Sequence, residues 1–268
     1  MWELRGGGGN FGIATALEYR VHPVGPMVLG GPIFWRLDNA PRVLRLLRDF
    51  APEAPDELGI TLAMMLAPPL PFLPPEQVGT PVLRLVLAWA GDLAEGERAI
   101  APLRRMGSSI AELVRPVPYL ALQSMLDGGA PHGRHYYWKS HRVTKLSDEI
   151  IDVLSERVAS ITSPFSQIGG WAMGGAVSRV DPDATAVGAR EVGFDVSLAA
   201  AWPPSDPDAE RHTAWVRRGW EALRPTAPAS TSTSSPTRAP RASRPPTASD
   251  WSGWWRSRTA TTRPTSSG

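Results

Sequence analysis

An α+β fold, an antiparallel sheet covered by helices on one face, is what this sequence predicts. Strand-length apolar runs recur along it with single amphipathic helical segments between them. No phosphate loop of the βαβ type joins them, so the strands are expected to run antiparallel. At 268 residues, 42% apolar and 20% charged, the chain has the composition of a globular protein large enough to bury a core.

The elements follow in order. Residues 13–22 (IATALEYRVH) alternate apolar and polar side chains, the pattern of a half-buried strand. The runs 32–37, 58–66 and 81–90 are further strands. Asn39 stands where a helix cap belongs, with Pro41 in the first turn, and Val43, Leu44, Leu46, Leu47 and Phe50 follow at helical spacing. A second helix covers 94–106 with Pro102 inside it. A third covers 147–161, where Ser147 caps, Asp148 and Glu149 suit the positive helix end, and Ile150, Ile151, Leu154, Val158 and Ile161 form the apolar stripe. Strands are expected at 165–172, 175–180 and 191–202. A last helix, 206–223, brings Trp215, Trp220 and Leu223 inward.

Composition excludes several chemistries. There is no cysteine, hence no disulfide, thiolate metal site or cysteine nucleophile. The five histidines (His22, His132, His135, His141 and His212) lack metal-ligand spacing, so no metal is expected. No motif for a nucleoside triphosphate or a Ser-His-Asp hydrolase is present. No run of 18 uncharged apolar residues occurs, so no membrane partner is expected. The first residues lack the layout of a secretory signal, and the expected location is cytoplasmic. The net charge of +2 conceals a split: residues 225–268 hold six arginines and one aspartate, leaving a mildly acidic body. The basic character belongs to that tail, and no nucleic-acid partner is expected.

The tail is rich in Ser, Thr, Pro, Ala and Arg and has no Leu, Ile, Val, Phe or Tyr, the composition of a disordered segment. At the other end, Gly6 to Gly9, Asn10, Phe11 and Gly12 form the most unusual local feature. Gly7, Gly9 and Gly12 satisfy G-x-G-x-x-G, but no strand precedes and no helix follows, so a dinucleotide fold is rejected. Two readings stay open: a flexible glycine run, or a backbone approaching something flat and bulky, with Asn10 supplying amide hydrogen bonds and Phe11 a packing contact.

The segment WELRGGGGNFGIATALEYRVHPVG resembles the stretch that closes the FAD-binding domain in flavin-dependent oxidases of the berberine-bridge-enzyme-like group. The resemblance continues through RHYYWKS (134–140), SPFSQI (163–168), GGAVSRV (174–180), the A-T-A-x-x-x-R element at 184–190 and Trp202, and so covers roughly residues 2–224. It implies three segments: 1–25 as the end of an FAD-binding domain, 26–224 as a substrate-binding domain, and 225–268 as the tail. It implies FAD as cofactor, with Gly8, Gly9, Asn10, Gly12 and Ile13 along the flavin, and a small-molecule substrate over a sheet. Tyr136, Trp138, Lys139, Gln167 and Trp171 are candidates for the substrate face. Tyr136 and Trp138 share one strand face and equally suit a packed core; a lysine such as Lys139 more often sits at a solvated strand end. By period two Gln167 and Trp171 face the same way. No catalytic residue is assigned, and the substrate and oligomeric state stay open.

In the family most flavin contacts, including the covalent tethers, come from a domain the chain enters only at its last residues. Family members also end in a Tyr-x-Asn strand absent here. Read one base out of register, the tail permits YVNFLTDE over Ser230 to Arg238 and a D-R-Y-D-P-x-N-L-F ending, so it is expected to be frame-shifted. A disordered linker and a basic nucleic-acid arm are the competing readings. Two functions therefore stand side by side: an FAD-dependent oxidoreductase acting on an alcohol, sugar or secondary metabolite, and a catalytically inactive substrate-domain fragment without flavin.

Overall fold

A computed structural model describes residues 4–7, 11–187, 190 and 193–224. The expectations for Gly8, Gly9, Asn10 and the 225–268 tail lie outside the described residues. Eight strands form a single sheet: β1 (Met27–Arg36), β2 (Leu58–Leu66), β3 (Pro81–Trp89), β4 (Ala111–Glu112), β5 (Arg115–Pro118), β6 (His135–Val143), β7 (Gln167–Ala172) and β8 (Phe194–Trp202). Their spatial order is β4-β1-β3-β2-β7-β8-β6, β5 also pairing with β1, and every pairing is antiparallel. The helices are α1 (Ala40–Phe50), α2 (Leu93–Arg104), the short α3 (Tyr119–Gln123), α4 (Asp148–Ala159) and α5 (Ala209–Leu223). The α+β class with one helix-covered face is the expected one.

Pairing register decides which side chains meet. On the covered face Ile33, Leu85, Leu62, Ile168, Val196 and Leu198 lie under α1, α2, α4 and α5 in one continuous core. The helices supply Leu44 and Leu47, Ile100 and Leu103, Ile151 and Leu154, and Trp215 and Val216. Each of these is buried, and burial of such apolar area is the main force holding the layers together. Ser147 does cap α4, its Oγ accepting from the Ile150 N–H at 3.3 Å. Asp92 caps α2, accepting from Ala94 and Glu95. Pro102 falls in the last turns of α2, where the chain is already leaving the helix.

Three local expectations are corrected. Asn39 makes no capping bond to α1; its amide donates instead to the Ser108 carbonyl at 3.3 Å. Residues 13–22 form no strand, and Ile13, Leu17, Tyr19 and Val21 project into solvent. A strand needs a ladder neighbour, and among the described residues this segment has none. Residues 175–180 turn rather than extend, because Gly174 and Gly175 adopt φ of 154° and 56° and open a 3₁₀ turn. Among the described residues no helix is long and apolar enough to cross a membrane.

Candidate functional site

The sheet's other face carries none of the four long helices. Side chains at paired positions share a face, so the register orders this surface into rows running across the strands. One row reads Arg84, Ala63, Gly169, Ser197 and Ser140, from β3 across β2, β7 and β8 to β6. All but its first residue are small. Flanking it on one side are Met65, Gln167, Ala199 and Trp138; on the other are Thr61, Trp171, Asp195 and Arg142. Long side chains on both sides of a short-chain row make a trough. It spans four strand spacings, about 19 Å, with rows about 7 Å apart.

The trough gathers three of the five sequence-expected substrate residues. Gln167 and Trp138 stand in one wall with Ala199 between them, and Trp171 stands in the opposite wall. Trp138 and Trp171 are exposed, so neither is a core residue. Tyr136 lies one row beyond Trp138 on the same face, its hydroxyl donating to the Pro131 carbonyl at 2.6 Å. Lys139 is separated from them. Paired with Leu198, it points to the helix side, where its Nζ sits 4.1 Å from the Trp220 ring centre of α5. Its neighbour on that side, His141, stacks on the same indole at 4.9 Å and donates from Nε2 to the Trp220 carbonyl. Burial holds the His141 pKa below its usual range.

Two charged residues of this face were not singled out from sequence. Asp195 is the one carboxylate that the described strands β1, β2, β3, β6, β7 and β8 turn toward the trough side. Burial pushes its pKa above the ordinary carboxylate value, and Arg142, 3.7 Å away, opposes that shift. Arg84 closes the row at the β3 end, with its Nε buried and without a hydrogen-bond partner. The signal for both was parity within the strand: in FDVSLAAAW the polar Asp195 and Ser197 alternate with buried Phe194, Val196 and Leu198.

Of the expected flavin segment, Gly12 and Ile13 are described. Gly12 has φ of 145°, and a Cβ built there would meet nothing within 4 Å. Ile13 is 94% exposed. An open backbone next to an uncovered apolar side chain fits the approach of a flat, bulky group such as an isoalloxazine ring.

No family model matches the chain. Over 221 residues it is 24% identical to an FAD-linked oxidoreductase of Dictyostelium discoideum, covering 81% of this chain and 45% of that protein. Over 219 residues it is 24% identical to the uncharacterized FAD-linked oxidoreductase YgaK of Bacillus subtilis, covering 79% and 44%. Among solved structures, a berberine bridge enzyme variant in complex with (S)-reticuline superposes with a TM-score of 0.70 at 17% identity, covering 85% of this chain and 46% of that one. The chain thus spans about half the length of the curated relatives it matches. The strand order and these likenesses agree: the chain is similar in sequence to FAD-linked oxidoreductases and shares its fold with the berberine-bridge-enzyme-like structures.

Proposed function

We propose that this chain forms the substrate side of an FAD-dependent oxidase or dehydrogenase acting on a small alcohol, sugar or secondary metabolite. Residues 26–224 are the substrate-binding domain, and residues 1–25 are the closing segment of an FAD-binding domain. The observation that carries this reading is the trough: a sheet face free of the long helices, displaying indoles, an amide and a carboxylate over a floor of small residues. The helices bury the sheet's other face, so this face is free to work on a ligand.

FAD, when bound, supplies the acceptor for a hydride leaving the substrate carbon. Gly8, Gly9, Asn10, Gly12 and Ile13 are the chain's own contacts to it. Trp138 and Trp171 sandwich an apolar body, and Gln167 fixes its orientation by hydrogen bonding. Asp195 accepts the proton from the substrate hydroxyl as the carbonyl forms. Tyr136, tied to the Pro131 carbonyl, buttresses the Trp138 wall. Lys139 stays outside this set and anchors α5 through Trp220.

Filling the trough tests the assignment. A side chain at Gly169 meets no atom closer than 3.9 Å from its Cβ, so Gly169→Phe is tolerated by the fold and occupies the floor. In the flavin-loaded protein, oxygen consumption with a panel of alcohols and sugars is expected to fall at least about tenfold in Gly169→Phe, with Tm little changed. Full turnover in that variant would place the substrate elsewhere.

A further inference from the structure

The β3 end of the trough carries a charge that the fold does not use. Arg84 projects from the centre of the sheet, flanked by Phe34 on β1 and Ala63 on β2. Its Nε is buried and donates to no partner, and no carboxylate pairs with the guanidinium among the described residues. Burial lowers its pKa, with no neighbouring acid to offset it. A cation taken out of water without a counter-charge destabilises a protein unless something else neutralises it.

The surroundings say what that something is. Arg84 lines two adjoining cavities on this face. The larger, about 430 Å³, reaches toward the trough wall through Met65, Phe165 and Gln167. The smaller, about 220 Å³, is walled by Phe34, Phe72, Val86 and Leu126. Neither has an aspartate or glutamate in its lining, and each adds a second arginine: Arg134 in the larger and Arg115 in the smaller. The Arg134 guanidinium lies on the Phe165 ring at 3.5 Å, which leaves Arg84 as the cation facing both spaces. Apolar walls with a half-buried arginine fork and no competing acid select an apolar body that ends in a planar anion, because a carboxylate takes two parallel N–H bonds from a guanidinium.

We propose that Arg84 is a specificity residue that anchors a carboxylate, so that the trough takes an apolar or aromatic ligand bearing one carboxylate group. Its identification with the reacting substrate rests on the oxidoreductase reading above; the preference for an anion does not.

The test compares two probes of equal shape on the purified full chain, 2-naphthoate and the neutral 2-naphthamide, with binding followed by tryptophan fluorescence. Naphthoate is expected to bind at least about tenfold more tightly. Arg84→Met removes the charge and keeps the length; it is expected to bring the two affinities to parity while leaving that of naphthamide unchanged. Ligand-free Arg84→Met is also expected to match or exceed the wild-type Tm, since it removes a half-buried cation that has no counter-charge. Arg84→Lys, which keeps the charge but not the fork, is expected to retain only part of the preference. Equal binding of both probes to the wild type, or an undiminished preference in Arg84→Met and Arg84→Lys, overturns the assignment. FAD binding is measured on the same samples. A naphthoate preference without flavin binding would uphold the anion site and remove the oxidoreductase reading.

Discussion

Gly31→Ala is expected to destabilise the fold by about 3 kcal/mol, more than the loss of conformational freedom at any exposed glycine. Gly31 sits in β1 with φ of 145°, a region that side chains rarely adopt. A Cβ there would collide with the Leu113 carbonyl oxygen and lie 2.8 Å from its carbon. Both are backbone atoms at the break between β4 and β5, where two short strands share the outer edge of β1. The Leu113 N–H is pinned to the Pro32 carbonyl at 2.9 Å, so that backbone cannot retreat without losing a bond of the edge. Gly79 separates the two contributions: its φ is 77°, and nothing lies within 4 Å of its Cβ position. Gly79→Ala is therefore expected to cost only about 1 kcal/mol, from backbone strain alone. Urea unfolding of both variants checks this. Equal midpoints would show that the Leu113 contact exerts no constraint.

In the flavin-loaded protein, Asp195→Asn is expected to lower turnover about 10²- to 10⁴-fold, the usual worth of a positioned base. Only the ionised carboxylate can accept a proton. Burial raises the Asp195 pKa, so activity should climb with pH through a midpoint above the ordinary value of 3.8. That acid limb should vanish in the variant. The stability trend runs the other way. With the folded pKa raised, the folded chain holds its proton longer than the unfolded one, and the contribution of Asp195 to stability declines as pH rises through that window. The Asp195→Asn substitution would remove this decline, so a variant that is inactive yet no less stable at neutral pH separates catalysis from folding. Turnover within about threefold of the wild type, with the acid limb intact, would assign the proton transfer to another group.

Helices were legible because their signals are local. The Ser147 cap, the acidic first turn and the stripe from Ile150 to Val158 all lie within α4 and need no partner to be read. The strands were legible as segments, but their partners were not. Alternation in 13–22 is a strand signal only if another strand supplies the ladder, and the described residues provide none there. The 175–180 run failed for the opposite reason, since Gly174 and Gly175 impose a turn that apolar content does not reveal.

The same division governs the site. Period two put Gln167 with Trp171, and Tyr136 with Trp138, as the sheet has them. That parity also sets Lys139 against Trp138, and the structure places it under α5. The trough itself exists only through long-range register, which aligns Arg84, Ala63, Gly169 and Ser197 from four separate strands. Parity within β3 and β8 gives only the faces of Arg84 and Asp195; that the two line one trough emerges when the strands are paired.

The most direct test of the flavin assignment is a titration of FAD into the purified full chain, followed by flavin fluorescence and the visible spectrum. Saturable one-to-one quenching is the expected result, with affinity at least about tenfold weaker in Gly12→Val, whose side chain would fill the open backbone that Ile13 adjoins. FAD that stays fully fluorescent with about 100 μM protein, while circular dichroism shows the sheet intact, would contradict the account.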